Sequence, residues 1–259
     1  VTLADRTIAA LRTNHDELAH LVSGLASDQL TGPSGADEWS LAQVLSHLGS
    51  GAEITLAGLR AAQAGDDAPG SDFNQSVWDR WDAMTPADQA AGFVETDNAL
   101  VEAYEALSAD ERDDVQIGLG FLPTPLSIAG AAGLRFNEAA LHGWDVRAGL
   151  DTSAALSSEA AQLLAEHFSG DIGFLLGWVG KADQIDARTV VDVHGFGLVV
   201  DDGVSLNPSA EAATATFDGP LEAALRLIGG RLKPAFTPPG VTVTGNVTLD
   251  DLRRVFPGF

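Results

Sequence analysis

The chain has 259 residues, 45% of them hydrophobic, with 37 acidic against 14 basic residues and a formal net charge of -23. That apolar content suits a sizeable core in one large domain or two ordinary ones, and it excludes a largely disordered chain. The charge argues against nucleic acid and anionic membrane surfaces as partners, and the absence of cysteine excludes disulfides, cysteine-ligated zinc and a protein thiol nucleophile.

In chain order, the first 150 residues read as helices. Residues 2–25 carry Leu3, Ile8, Leu11, Leu18, Leu21, Val22 and Leu25 at the spacing of one helical face. Residues 32–37 are a loop, and Ser40 is the expected N-cap of a second helix reaching about residue 62. Turn residues fill 65–71, a short helix is expected over 74–83, and Thr85-Pro86 opens a longer one to about residue 107. An apolar loop over 118–125 precedes a fourth long helix, 126–148. Four long helices and a short one predict an up-and-down bundle.

After residue 150 the pattern changes. Residues 157–180 read as one helix, followed by β-branched strands at 189–194 and 197–200 and a hairpin signal at Asp201-Asp202-Gly203. A strand at 213–217, a helix at 220–229, a strand at 241–245 and a last helix at 249–255 complete a small α+β unit. The expected domains are 1–150 and 151–259, and the fold class is α+β. No stretch approaches about 18 uninterrupted apolar residues, so no spanning helix is expected. Residues 1–6 show no basic region leading into an apolar run, and a cytoplasmic location is expected.

The chemistry concentrates on His47, Glu138 and His142. In a helix, Glu138 and His142 leave the same face one turn apart, while His47 sits on the second helix. Two imidazoles and a carboxylate can hold a divalent ion with an open coordination position. Taken singly, His47 reads as a half-buried histidine and Glu138-His142 as a surface pair. The apolar setting of Ala131, Ala132, Leu134, Phe136, Ala139, Leu141 and Trp144 makes an unpaired carboxylate costly and favours a cation. Asp145, three residues after His142, is placed to orient that histidine or to pair with an arginine. His15, His20 and His167 read as solvated helix residues and His194 as structural. Arg135, Arg147, Arg226 and Arg231 are the arginines that would serve an anionic substrate.

The segments Trp39-Ser40 with Val44-Leu45-Ser46-His47-Leu48, and Asn137-Glu138-Ala139-Ala140-Leu141-His142-Gly143-Trp144-Asp145, resemble the mycothiol-dependent maleylpyruvate isomerase family. That family lies within the DinB-like metal-binding four-helix-bundle superfamily. The resemblance covers the whole layout: a bundle, then an α+β domain similar to that of the sterol carrier proteins. It implies that His47, Glu138 and His142 bind a divalent metal, usually zinc, that Asp145 lies beside it, and that Arg231, ending Leu227-Ile228-Gly229-Gly230-Arg231, holds a substrate carboxylate. It further implies mycothiol as a low-molecular-weight thiol cosubstrate, a small unsaturated carbonyl substrate, and either cis-trans isomerisation or thiol S-transfer. A noncatalytic metal-stabilised bundle joined to an apolar-ligand-binding domain (Phe174, Leu175, Leu176, Trp178, Phe196 and Phe217 as lining), and a metal-dependent hydrolase, are the other readings of the same residues.

Overall fold

A computed structural model describes residues 1–119 and 122–258 and divides the chain into two compact units, Val1–Leu150 and Asp151–Phe259. In the first unit the long helices are α1 (Leu3–Ser23), α3 (Leu41–Ala64), α5 (Pro86–Glu105) and α7 (Ile128–Leu150); the short helices α2 (Ser27–Leu30), α4 (Ser71–Asp82) and α6 (Ala109–Asp114) join them. Two-residue strands β1 (Gln116–Ile117) and β2 (Leu126–Ser127) pair antiparallel before α7. Of the apolar loop expected over 118–125, Gly120 and Phe121 lie outside the described residues.

Local chemistry starts each long helix. Thr2 and Asp5 form a reciprocal capping box on α1, as Ser40 and Gln43 do on α3. Thr85 caps α5, with Pro86 at its first position, where a missing N–H costs nothing. Gly65 ends α3 in the left-handed region at φ 73°. Between the helices lies a cluster that includes Leu18, Leu41, Leu45, Leu48, Phe93 and Val146. Each leucine buried there contributes about 2 kcal/mol by removal from water.

The second unit contains helices α8 (Ser158–Phe168), α9 (Phe174–Val179), α10 (Leu221–Ile228) and α11 (Leu249–Val255). Its five strands are β3 (Thr189–Val193), β4 (Phe196–Val200), β5 (Val204–Asn207), β6 (Ala215–Asp218) and β7 (Thr242–Gly245), in the order β5-β4-β3-β6-β7. Only β3 and β6 run parallel; the other neighbours are antiparallel hairpins or returns. The single helix expected over 157–180 is two. The chain turns at residues 169–173, where a Cβ on Gly173 would stand 2.8 Å from the Phe168 carbonyl oxygen. The β3–β4 hairpin turns on His194 (φ 53°) and Gly195 (φ 89°), the paired positive φ of a tight two-residue turn, so His194 has a backbone role. Leu176 and Phe217 are packed in the core, whereas Trp178 is largely exposed and meets Phe174 edge-on at 4.9 Å. Among the described residues no helix is long and apolar enough to cross a membrane.

Candidate metal centre

His47 lies two turns into α3, and Glu138 and His142 lie one turn apart on α7. These elements bring the three together: one potential ligand atom from each lies within 4.8 Å of the others. Nε2 of His47 is 2.9 Å from Oε2 of Glu138, and Nε2 of His142 is 3.5 Å from the same oxygen. The other carboxylate oxygen, Oε1, accepts a hydrogen bond from Asn137 Nδ2 at 3.1 Å. The two imidazoles meet edge to face, with centroids 4.6 Å apart.

Asp145 sits one turn beyond His142. Its side chain is fully buried, and its Oδ2 is 2.9 Å from His142 Nδ1. A carboxylate only accepts, so an Nδ1 proton points at Asp145, and Nε2 is turned toward Glu138 Oε2. An imidazole nitrogen and a carboxylate oxygen this close need a proton or a cation between them. Two imidazoles with one carboxylate are a donor set that fits a divalent ion such as zinc. The side chains of His47 and Glu138 are 40% and 42% exposed, and that of His142 is 16% exposed, so the cluster opens on one edge and closes toward Asp145.

The structure adds a ligand-side residue that spacing had not singled out. Trp39 stacks on His142, with centroids 6.0 Å apart and planes at 19°, and lies 5.3 Å from the His47 ring. It belongs to the loop ahead of α3, which is laid directly on α7. The Gly35 N–H donates to the Asp145 carbonyl at 2.7 Å, and a Cβ on Gly149 would meet the Pro33 carbonyl oxygen at 2.3 Å. Glu38, just before Trp39, is held at φ 62°, an uncommon conformation for a residue other than glycine. The only sequence signal for Trp39 was its place in the Trp39-Ser40 segment of the family resemblance.

Beneath the cluster lies a buried ionic network that corrects two expectations. His15 is not solvated: it falls in phase with Leu11 and Leu18 on the buried stripe of α1, and its Nδ1 is 2.8 Å from Asp97 Oδ2. Arg135 is not a substrate arginine. It is buried, and its Nη2 donates to Asp97 Oδ1 at 2.6 Å and to the Leu48 carbonyl, one residue from His47, at 2.9 Å. Burial by itself would raise the Asp97 carboxyl pKa; the charge of Arg135 and the hydrogen bonds from His15 and Arg135 outweigh it and hold the group below its usual range. His167 is likewise buried, in line with Leu164 and Phe168 on α8.

The remaining arginines divide similarly. Arg226 is buried and forks onto Glu222 through Nε and Nη2, at 2.7 and 2.9 Å. Arg147 lies 3.6 Å from Glu17. Arg231 belongs to the second unit, at the exit of α10. Gly230 takes φ 73°, its N–H donates to the Leu227 carbonyl at 2.8 Å, and the Arg231 N–H donates to the Arg226 carbonyl at 2.7 Å. This is a Schellman ending, which fixes where the Arg231 side chain departs. That side chain is partly exposed, and its Nη1 donates to the Gly229 carbonyl at 2.8 Å.

No curated protein sequence matches the chain. Two solved structures match it over 95% of both chains at 14% identity: the mycothiol-dependent maleylpyruvate isomerase, with a TM-score of 0.64, and a histidine-to-alanine mutant of that enzyme, with a TM-score of 0.65. At that identity the likeness establishes a shared fold. The family model for the mycothiol maleylpyruvate isomerase N-terminal domain matches residues 11–147, which contain His47, Glu138, His142 and Asp145. The helical bundle and its histidine–carboxylate cluster thus have a family, and the chain belongs to the mycothiol maleylpyruvate isomerases as defined by that N-terminal domain.

Proposed function

We propose that this chain is a metal- and mycothiol-dependent isomerase of small unsaturated carbonyl acids, with His47, Glu138 and His142 as the metal ligands. Family membership supports an isomerase that uses mycothiol. The observation that carries the metal is the convergence of three potential donor atoms from α3 and α7, with His142 Nε2 turned toward the Glu138 carboxylate.

A divalent ion held there, zinc by its donor set, would lower the pKa of an arriving thiol and so favour thiolate at neutral pH. The chain's own residues do the rest. Asp145 fixes the His142 tautomer and ring angle, and Arg135 ties the α3 backbone beside His47 to Asp97. Trp39 covers the imidazoles on one side. Arg231 is assigned to the substrate carboxylate on the family resemblance and on the bidentate fit of a guanidinium to a carboxylate. In the reaction the thiolate forms a C–S bond to the cis alkene and the electron pair moves onto the conjugated carbonyl. Rotation about the resulting single bond follows. Elimination re-forms the alkene in the trans geometry and returns the thiolate, with no net redox change. Addition without elimination would be S-transfer, and the product tells the two apart.

Metal analysis followed by a turnover screen tests this reading. Purified protein is expected to carry about one divalent ion per chain, to lose it in His47→Ala, and to isomerise maleylpyruvate only when mycothiol is present. Stoichiometric metal without thiol-dependent turnover would move the assignment to hydrolysis or binding.

A further inference from the structure

Next to the metal cluster the bundle carries a half-open cavity of about 320 Å³, and His47 is one of its walls. Its lining also includes Trp39, Trp78, Gln43, Ser46 and Asp82. Four of the chain's tryptophans lie in the bundle. Trp81 and Trp144 are fully buried, but Trp39 and Trp78 remain 37% and 44% exposed, and both of these line the cavity. A large aromatic face left half open is a feature of ring-binding sites, where it waits for a flat apolar partner surface. Around those faces stand neutral amides and hydroxyls and a single carboxylate. Gln43 already accepts the Ser40 N–H through Oε1 as part of the α3 cap, which leaves its amide N–H groups as donors.

No lysine or arginine lines the cavity. It therefore offers no cationic lysine or arginine side chain to a dianionic unsaturated acid, which Asp82 would repel. It suits an uncharged ring whose C–H face stacks on tryptophan and whose hydroxyls donate to Asp82 and accept from Gln43. A volume of about 320 Å³ falls at the small end of ligand sites, roughly 300–1,000 Å³, enough for one or two six-membered rings. We infer that this cavity receives the polyhydroxylated ring portion of the thiol cosubstrate and so delivers its sulfur to the edge formed by His47 and Glu138. This rests on the thiol-dependent reading above, and it separates the two reactants: the neutral carrier of the thiol in the tryptophan-lined cavity, the carboxylate-bearing electrophile elsewhere.

The test uses the full, metal-loaded chain and two probes. One is the thiol-free glucosaminyl-inositol, which presents the rings alone; the other is N-acetylcysteine, which presents the thiol without them. Calorimetric binding of the ring compound is expected for the unaltered protein and should weaken at least tenfold in Trp78→Ala. The ratio of kcat/KM for mycothiol to that for N-acetylcysteine should shrink by a similar factor. Asp82→Ala, at an exposed position where folding is insensitive to substitution, should weaken ring binding several-fold and decides the matter if Trp78→Ala does not fold. Ring binding and the kcat/KM ratio unchanged in a folded variant, with turnover intact, would overturn the cavity assignment and leave the isomerase reading standing. Ring binding that is lost in the variants of a protein showing no thiol-dependent turnover would support the cavity and sink the isomerase reading.

Discussion

The residue with the sharpest division of labour is His142. One nitrogen, Nδ1, meets Asp145, and the other, Nε2, is turned toward Glu138, where the proposed metal would be held. Carboxylates in that position hold the ring angle and raise the basicity of the coordinating nitrogen, and their loss typically lowers metal affinity 10–100-fold. Asp145→Ala is therefore expected to weaken zinc binding by about that factor in chelator competition, while Asn at the same position, which keeps an acceptor oxygen, should retain more of it. An Asp145→Ala protein with unaltered zinc affinity would mean that His142 is not oriented through this bond. The i,i+3 spacing made Asp145 legible from sequence, but the alternative, a pair with an arginine, was equally open. Only the buried geometry separates them.

At the level of elements, the bundle is held near the site by one wedge. The Trp81 ring at the end of α4 fills the space above two glycines, Gly49 on α3 and Gly92 on α5. A Cβ on Gly49 would stand 2.1 Å from a ring carbon of Trp81, a distance that forces the indole or the helix to move. Gly49→Ala should accordingly destabilise the bundle by about 1–3 kcal/mol through overpacking. At roughly 2–4 °C per kcal/mol for a chain of this class, the loss is readable by calorimetry. Trp81→Phe in the same background should recover part of it; a melting temperature unmoved by Gly49→Ala would show that α4 does not pack as described. Helix starts were readable because Thr2, Ser40 and Thr85 announce themselves chemically. The break between α8 and α9 was not, because the apolar run from Phe174 to Val179 continues the helical pattern past Gly170 and Gly173, and turning there is decided by backbone packing.

Across the whole molecule, composition predicted the class and the alternation of patterns predicted a bundle followed by an α+β unit. What escaped is the interior polar wiring. His15, Asp97 and Arg135 lie 38 or more residues apart in sequence, and single-helix periodicity cannot say that three such groups share one dry space. Their network joins α1, α5 and α7 and reaches α3 through the Leu48 carbonyl. It also sets an acid limit. Because the folded-state pKa of Asp97 is depressed, its contribution to stability is complete above the ordinary carboxylate range, about pH 4, and is lost as the pH falls through the lower folded value. Urea midpoints should fall more steeply below about pH 4 in the natural protein than in Asp97→Asn. At neutral pH the variant should itself be less stable by about 3–5 kcal/mol, since Arg135 is left buried without its counter-charge. Parallel pH profiles for the two proteins would remove Asp97 from this role.

The glycine contacts that press the 32–40 loop onto α7 carry a kinetic consequence. With Gly35 bonded to the Asp145 carbonyl and Gly149 leaving no room beside Pro33, the loop that carries Trp39 is pinned to α7. A loop held this way is expected to admit reactants without a slow opening step. Stopped-flow binding on this side of the cluster should therefore show one fast phase, and selection there should follow the shape of a gap present before they arrive.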